Sequence, residues 1–252
     1  MNVIYFSPTR TSATIADAIA RGMGYTQYNE IDLTYTFPLN PDRLKGITLI
    51  AAPVYAGRIS KTAVERISLF KGDGSPAIVV AVYGNRHYED ALAELQDIAD
   101  QAGFHTIAAA AFVGEHSYSR NNMPIAAGRP DHEDLTIAFE FGTAIAQKLT
   151  SGNPATPLVV AGNRPYIDKG PFTPATPYTD ESLCTQCQTC IDLCPTGAII
   201  LEEEIVSDKN QCIKCCACVK FCPNEARIFN TPYTEMLHNK CAERKDPELW
   251  IC

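Results

Sequence analysis

The pattern C-x2-C-x2-C-x3-C-P occurs twice, at Cys184–Pro195 and Cys212–Pro223, and nothing else in the 252 residues restricts the possible folds so sharply. When LCTQCQTCIDLCPTGAIIL (183–201) is laid over QCIKCCACVKFCPNEARIF (211–229), all four cysteines coincide at an offset of 28 residues. Pro195 falls on Pro223, Ala198 on Ala226 and Ile200 on Ile228. Half-units this short cannot each bury a core, so they pack on each other and on whatever they ligate. Three cysteines at this spacing wrap one face of an iron–sulfur cubane, and the fourth, ahead of proline, points to the other cluster. The crossing assigns Cys184, Cys187, Cys190 and Cys222 to a first [4Fe–4S] cluster, and Cys212, Cys215, Cys218 and Cys194 to a second. Soft thiolates suit iron in such clusters. Structural zinc uses two separate pairs per metal, not a doubled run of four ending in proline. Disulfides need an oxidising, exported context, for which the chain carries no address signal. All eleven cysteines lie from Cys184 onward. Cys216 also fits between ligands, but using it would break the register of the second repeat. Cys216, Cys241 and Cys252 are expected to be buried or incidental thiols.

Residues 1–150 follow a different rhythm. Apolar runs at Asn2–Phe6, Tyr25–Ile31, Ile47–Pro53, Pro76–Tyr83 and His105–Val113 alternate with helical patterns near 12–22, 60–70, 87–102 and 131–150. Residues 41–46 leave room only for a short helix. Five strands alternating with helices predict an α/β domain whose parallel sheet is covered on both faces. Between 151 and 178 the periodicity stops and prolines stand at 154, 157, 165, 171, 174 and 177, which predicts an extended linker over the surface. Residues 179–230 then form the cluster unit. The tail, 231–252, carries Trp250, Cys241 and Cys252, and its simplest use is to pack back over one of the domains.

An apolar fraction of 46% with 20% charged residues allows a sizeable core. The net charge of −8 argues against nucleic acid as a partner and favours proteins with basic docking patches. No apolar run is long enough to span a membrane, and MNVIYF reads as a first strand instead of a leader. A cytoplasmic location is therefore expected.

After the first strand comes Ser7-Pro8-Thr9-Arg10-Thr11-Ser12, and then a helix. A strand-to-helix turn at the carboxyl edge of a parallel sheet offers free amides and a helix dipole to an anion. Hydroxyls of Ser7, Thr9, Thr11 and Ser12 add donors, and Arg10 adds charge. Lacking G-x-G-x-x-G, the loop suits a monophosphate better than a dinucleotide. The same residues also serve as ordinary helix caps.

This S-x-T-x-x-S loop resembles the FMN phosphate loop of flavodoxins, [ST]-x-T-G-N-T, with Arg10 and Thr11 in place of Gly and Asn. The resemblance implies a flavodoxin-like, doubly wound five-stranded sheet in the order 2-1-3-4-5, with FMN at the switch point. It also implies that two further loops meet the flavin ring: Pro53-Val54-Tyr55-Ala56-Gly57-Arg58 and Tyr83-Gly84-Asn85-Arg86. Glycines would let backbone approach the ring, and Tyr55 and Tyr83 would stack on it or simply pack at strand ends. Arg58 and Arg86 would stabilise a reduced flavin or lie as solvated charges. A third loop contributes His116 and Tyr118, the histidine being as readily a plain polar loop residue.

As a whole, the chain resembles the fused flavodoxin–ferredoxin proteins of anaerobes (EFR-type ferredoxins), which add a small α+β two-cluster ferredoxin domain to a flavodoxin. That resemblance implies low-potential electron transfer between FMN and the clusters, mediating between two-electron and one-electron partners. A flavin-dependent reductase of a small substrate and a flavin-free docking domain are the alternatives.

Overall fold

The computed structural model describes residues 1–37, 41–151, 157–170 and 173–252. Asn2–Tyr5 forms β1, whose four side chains are all buried. There follow α1 (Thr11–Gly22), β2 (Asn29–Asp32), β3 (Thr48–Tyr55), a short β4 (Arg58–Ile59), α2 (Lys61–Ile67), β5 (Pro76–Tyr83), α3 (Ala91–Gln101), β6 (His105–Val113) and α4 (His132–Thr150). The strands β2, β1, β3, β5 and β6 run parallel in that spatial order. This is the 2-1-3-4-5 arrangement of a flavodoxin-like fold, whose winding reverses between β1 and β3. No helix forms over 41–46.

Both sheet faces are dry because successive strand residues feed opposite cores. Ile4, Phe6, Ile50 and Val79 pack with Ile67 of α2 and Leu92 and Leu95 of α3. Val3, Tyr5, Leu49 and Val80 pack with Ile15 and Ile19 of α1 and Phe141 and Ile145 of α4. α1 and α4 cross at backbone contact. A Cβ at Gly22 would lie 2.0 Å from Phe139 O, and one at Gly142 would lie 2.2 Å from Ile19 O.

The cluster unit contains β7 (Tyr178–Thr179), α5 (Thr189–Asp192), β8 (Ile199–Leu201), β9 (Ile205–Ser207), α6 (Ala217–Lys220) and β10 (Arg227–Ile228). Its ribbons are antiparallel: β7 with β10, and β8 with β9. The tail then forms α7 (Pro232–Lys240) and β11 (Glu248–Ile251).

β11 corrects the expectation of a five-stranded sheet. It pairs antiparallel with β6, matching Glu248 to Ala111 and Ile251 to Ala108, and so covers the open edge, while β4 turns back on β3. A four-residue strand from beyond the cluster unit has no periodicity that names its partner, so only the structure reveals it.

Pro154 and Pro171 of the expected linker lie outside the described residues. The described remainder is anchored to α3 and is not a free tether. Asp90 accepts from the backbone N–H groups of Asn163 and Ile167, and Asp97 from Arg164 and the Tyr166 hydroxyl.

Candidate cofactor sites

The two cysteine repeats fold alike because each turns its backbone left-handed at matching places. Gln186 and Gln188 have φ of 53° and 63°, and Lys214 and Cys216 have 58° and 57°. Alternating handedness of this kind makes a concave nest of N–H groups for anionic sulfur. Amides already approach the thiols: Ala198 N–H donates to Cys194 Sγ at 3.2 Å, and Ala226 N–H to Cys222 Sγ at 3.3 Å. One hollow, with ≈ 310 Å³ of space that no atom fills, brings together Cys184, Cys187, Cys190 and Cys222. A second, of ≈ 320 Å³, brings together Cys194, Cys212, Cys215 and Cys218. Each set draws three cysteines from one repeat and one from the other. Among the described residues no three His, Cys, Asp or Glu side chains close on a single-ion position. The four thiols of each set line a common hollow, the arrangement a cubane needs.

Cys216 also walls the second hollow. Its Sγ donates to Lys214 O at 3.6 Å, and burial pushes its thiol well up, which favours a protonated bystander. Cys241 packs with Ile125 and Leu237, and Cys252 Sγ donates to Ile107 O at 2.9 Å, so both lie in other surroundings.

The phosphate-loop candidates gather at the N-terminus of α1. Ser7 Oγ accepts from Ala13 N–H at 3.1 Å, which makes Ser7 a cap. The residue before the helix, Arg10, is left-handed (φ 65°), provides no side-chain cap, and its side chain is exposed. Among the described residues, the N–H groups of Thr9, Thr11 and Ser12 find no acceptor. Ser12 Oγ is fully buried and also has no partner. Thr9 and Thr11 are half-buried. A buried donor set without an acceptor at a dipole's positive end fits a phosphate. These residues fit the FMN phosphate.

The ring-side loops divide. Pro53 is buried and Val54 packs on the core, while Tyr55 ends β3. Ala56 and Gly57 turn the β3–β4 hairpin with φ of 52° and 78°. A Cβ on Gly57 would fall 2.1 Å from Glu89 Oε2, so only glycine fits there. Gly84 passes equally close beneath His116, whose Cδ2 would stand 2.3 Å from an added Cβ. Burial, aided by Lys220 and Arg86, pulls His116 down to about 4, and its Nδ1 accepts from Tyr118 N–H at 3.0 Å.

Several of these side chains have protein partners of their own. Tyr83 is a core residue packed edge-on to Tyr88 at 5.4 Å, not a stacking platform. Arg58 pairs with Glu94 (2.5 Å) and covers the Tyr166 ring, and Arg86 pairs with Glu89 (2.5 Å). Asn85 is buried and its Nδ2 donates to Cys241 O and Glu243 O, which ties down the tail, while Oδ1 stays free. Arg58 and Asn85 are claimed by partners distant in sequence, whereas Tyr83 and Arg86 meet near neighbours.

The cluster unit meets the first domain near the second hollow, whose walls include Ile213 and Pro195. Burial, with the Cys215 and Cys216 thiols next in effect, pushes the Tyr55 hydroxyl well up. Tyr118 meets His116 at 5.0 Å on one side and Phe229 of the cluster unit at 5.2 Å on the other, both edge-on. Ile213 packs on the core of the first domain. Arg66 of α2, a buried cation, donates to Leu33 O and Thr34 O at 2.7 Å and to Pro195 O at 2.6 Å. Lys220 pairs with Glu115 at 2.6 Å. None of these contacts was readable beforehand, since a lone arginine in a helix looks like any solvated charge.

A 4Fe-4S binding domain family matches residues 177–200, which include Cys184, Cys187, Cys190 and Cys194. No curated protein matches the sequence. Among solved structures, a flavodoxin from the domain Archaea is 13% identical, covering 59% of this chain and 97% of its own, with a TM-score of 0.38. The flavodoxin of Streptococcus pneumonia TIGR4 is 16% identical over 58% of this chain and 97% of its own, with a TM-score of 0.40. A WrbA-like flavodoxin from Agrobacterium tumefaciens gives 13%, 60%, 98% and 0.40 in the same order. The fold assignment rests on the strand order above. A flavodoxin-like fold joined to a unit that matches a 4Fe-4S binding domain supports an electron-transfer role.

Proposed function

We propose that the chain carries electrons within one molecule between FMN and two [4Fe–4S] clusters, as an EFR-type flavodoxin–ferredoxin fusion of the cytoplasm. The observation that supports this best is that residues walling the Cys194/Cys212/Cys215/Cys218 hollow touch the first domain: Ile213 packs on its core, and Pro195 O accepts from Arg66. FMN supplies exchange of electrons in pairs or singly, and each cluster passes one. The free amides of Thr9, Thr11 and Ser12 hold the phosphate, and the Ala56–Gly57 turn and Gly84 bring backbone to the ring. Neutral His116, under Gly84, adds no charge at neutral pH.

The Cys184/Cys187/Cys190/Cys222 hollow is then the distal one and the exit. Cys187 is exposed there, and Gln186 donates to the carbonyl of Glu203 in the exposed acidic run Glu202–Glu204. Such a rim suits a redox partner with a basic patch and makes exchange salt-sensitive.

Anaerobically purified protein provides the test. The expected result is flavin absorption over a broad cluster background, with about eight irons per chain, as two four-iron clusters require. Full iron without flavin would reduce the first domain to a docking module. Zinc in place of iron would overturn the reading.

A further inference from the structure

The two repeats are out of symmetry at one buried position. Where the first has Ile199, the second, in register, has Arg227, and both are buried. Among the described residues of 173–252, Arg227 is the one buried charged side chain, 3% exposed. A buried cation is costly unless countercharge or good hydrogen bonds surround it. Its bonds go to neutral acceptors only: Nη1 to Thr179 Oγ1 (2.6 Å), and Nη2 to Ser207 Oγ (2.6 Å) and Pro177 O (3.1 Å). No carboxylate among the described residues pairs with it, and its Nε is buried without a partner. The same side chain walls the first hollow.

We propose that Arg227 is a positioning cation at the first cluster site, which raises that cluster's midpoint potential by stabilising the negative charge it gains on one-electron reduction. The inference rests on the two-cluster reading above. Four thiolates make each ligated cluster anionic, and the entering electron adds one more negative charge. A guanidinium keeps its charge in a protein interior, and low local dielectric strengthens its attraction to that added charge. The hydroxyls of Thr179 and Ser207 and the Pro177 carbonyl fix its plane, leaving Nε–H for a cluster sulfur.

The test is potentiometric titration of the anaerobic, full-length holoprotein with dithionite, read by EPR and accompanied by iron analysis. With full iron, Arg227→Gln is expected to lower the reduction equilibrium of the Cys184/Cys187/Cys190/Cys222 cluster about tenfold or more, ~59 mV per tenfold for one electron. Arg227→Lys, which keeps the charge, should remain near the native potentials. Unchanged potentials in an iron-replete Arg227→Gln protein would overturn the proposal. So would equal shifts in both variants, since packing and not charge would then be the cause. If Arg227→Gln fails to hold iron, native-like potentials in Arg227→Lys support the proposal, and loss of iron in that variant too assigns Arg227 a purely structural role.

Discussion

Ser12 illustrates how a single hydroxyl separates a binding role from a folding one. Its Oγ is buried with no partner, so in the absence of a ligand it costs stability. Ser12→Ala should leave the melting temperature unchanged or slightly higher. It should weaken FMN about tenfold or more, because a hydrogen bond to a charged group contributes ~1.5–3 kcal/mol. Riboflavin, without the phosphate, should bind both proteins alike, and equilibrium fluorescence titrations compare the two ligands. His116 allows a pH prediction. It titrates near about 4 in the folded chain and near ~6.5 when unfolded. Between those values the unfolded chain holds the extra proton, so stability falls as pH drops from about 6.5 to about 4 and then levels off. The loss amounts to at most about 3 kcal/mol. His116→Gln should flatten that part of a urea-denaturation pH profile. At this scale the sequence is legible where spacing is periodic, as for the eight cysteines and the Ser7–Ser12 loop. It is silent where a side chain's partner is remote, as for Asn85 with the tail and Arg58 with Glu94.

The tail shows the same limit among whole elements. The five parallel strands and their helices are readable from alternating apolar runs, because burial on both faces leaves a continuous apolar signature. β11 leaves none: Glu248, Leu249 and Ile251 are exposed, and only its hydrogen bonds to β6 define it. Its anchors are Trp250 edge-on to Tyr88 at 6.5 Å, the Tyr88 hydroxyl donating to Glu248 at 2.8 Å, and buried Cys252. Deleting residues 248–252 removes these and bares an edge. Loss of one large packed side chain costs on the order of 3–5 kcal/mol, which for a chain of this size lowers the melting temperature by roughly 10 °C. Calorimetry measures the drop, and sedimentation should show concentration-dependent association through the bared β6 edge.

For the molecule as a whole, the decisive junction is Arg66, whose three hydrogen bonds join the β2–α2 region to Pro195, next to Cys194. Held this way, the cluster unit needs no diffusive encounter with the first domain. Flash reduction of FMN, followed through bleaching of the cluster absorption, should give a rate independent of protein concentration. A rate proportional to concentration would place the transfer between molecules. Arg66→Ala deletes a charge-assisted bond across the junction, and the docked-to-open equilibrium constant should fall about tenfold or more. The intramolecular rate should fall with it while flavin and iron contents hold.

β11 has a further consequence for how the chain is made. Residues 248–251 leave the ribosome after every strand they join, so β6 waits through synthesis of the whole cluster unit with one edge bare. The register partners of β11 are four consecutive alanines, Ala108–Ala111. Alanine is a poor strand former, with little surface for a stray chain to grip. A run of valines or isoleucines there would invite misassembly during that interval. Alanines at that edge leave a stray chain little to grip before β11 pairs there.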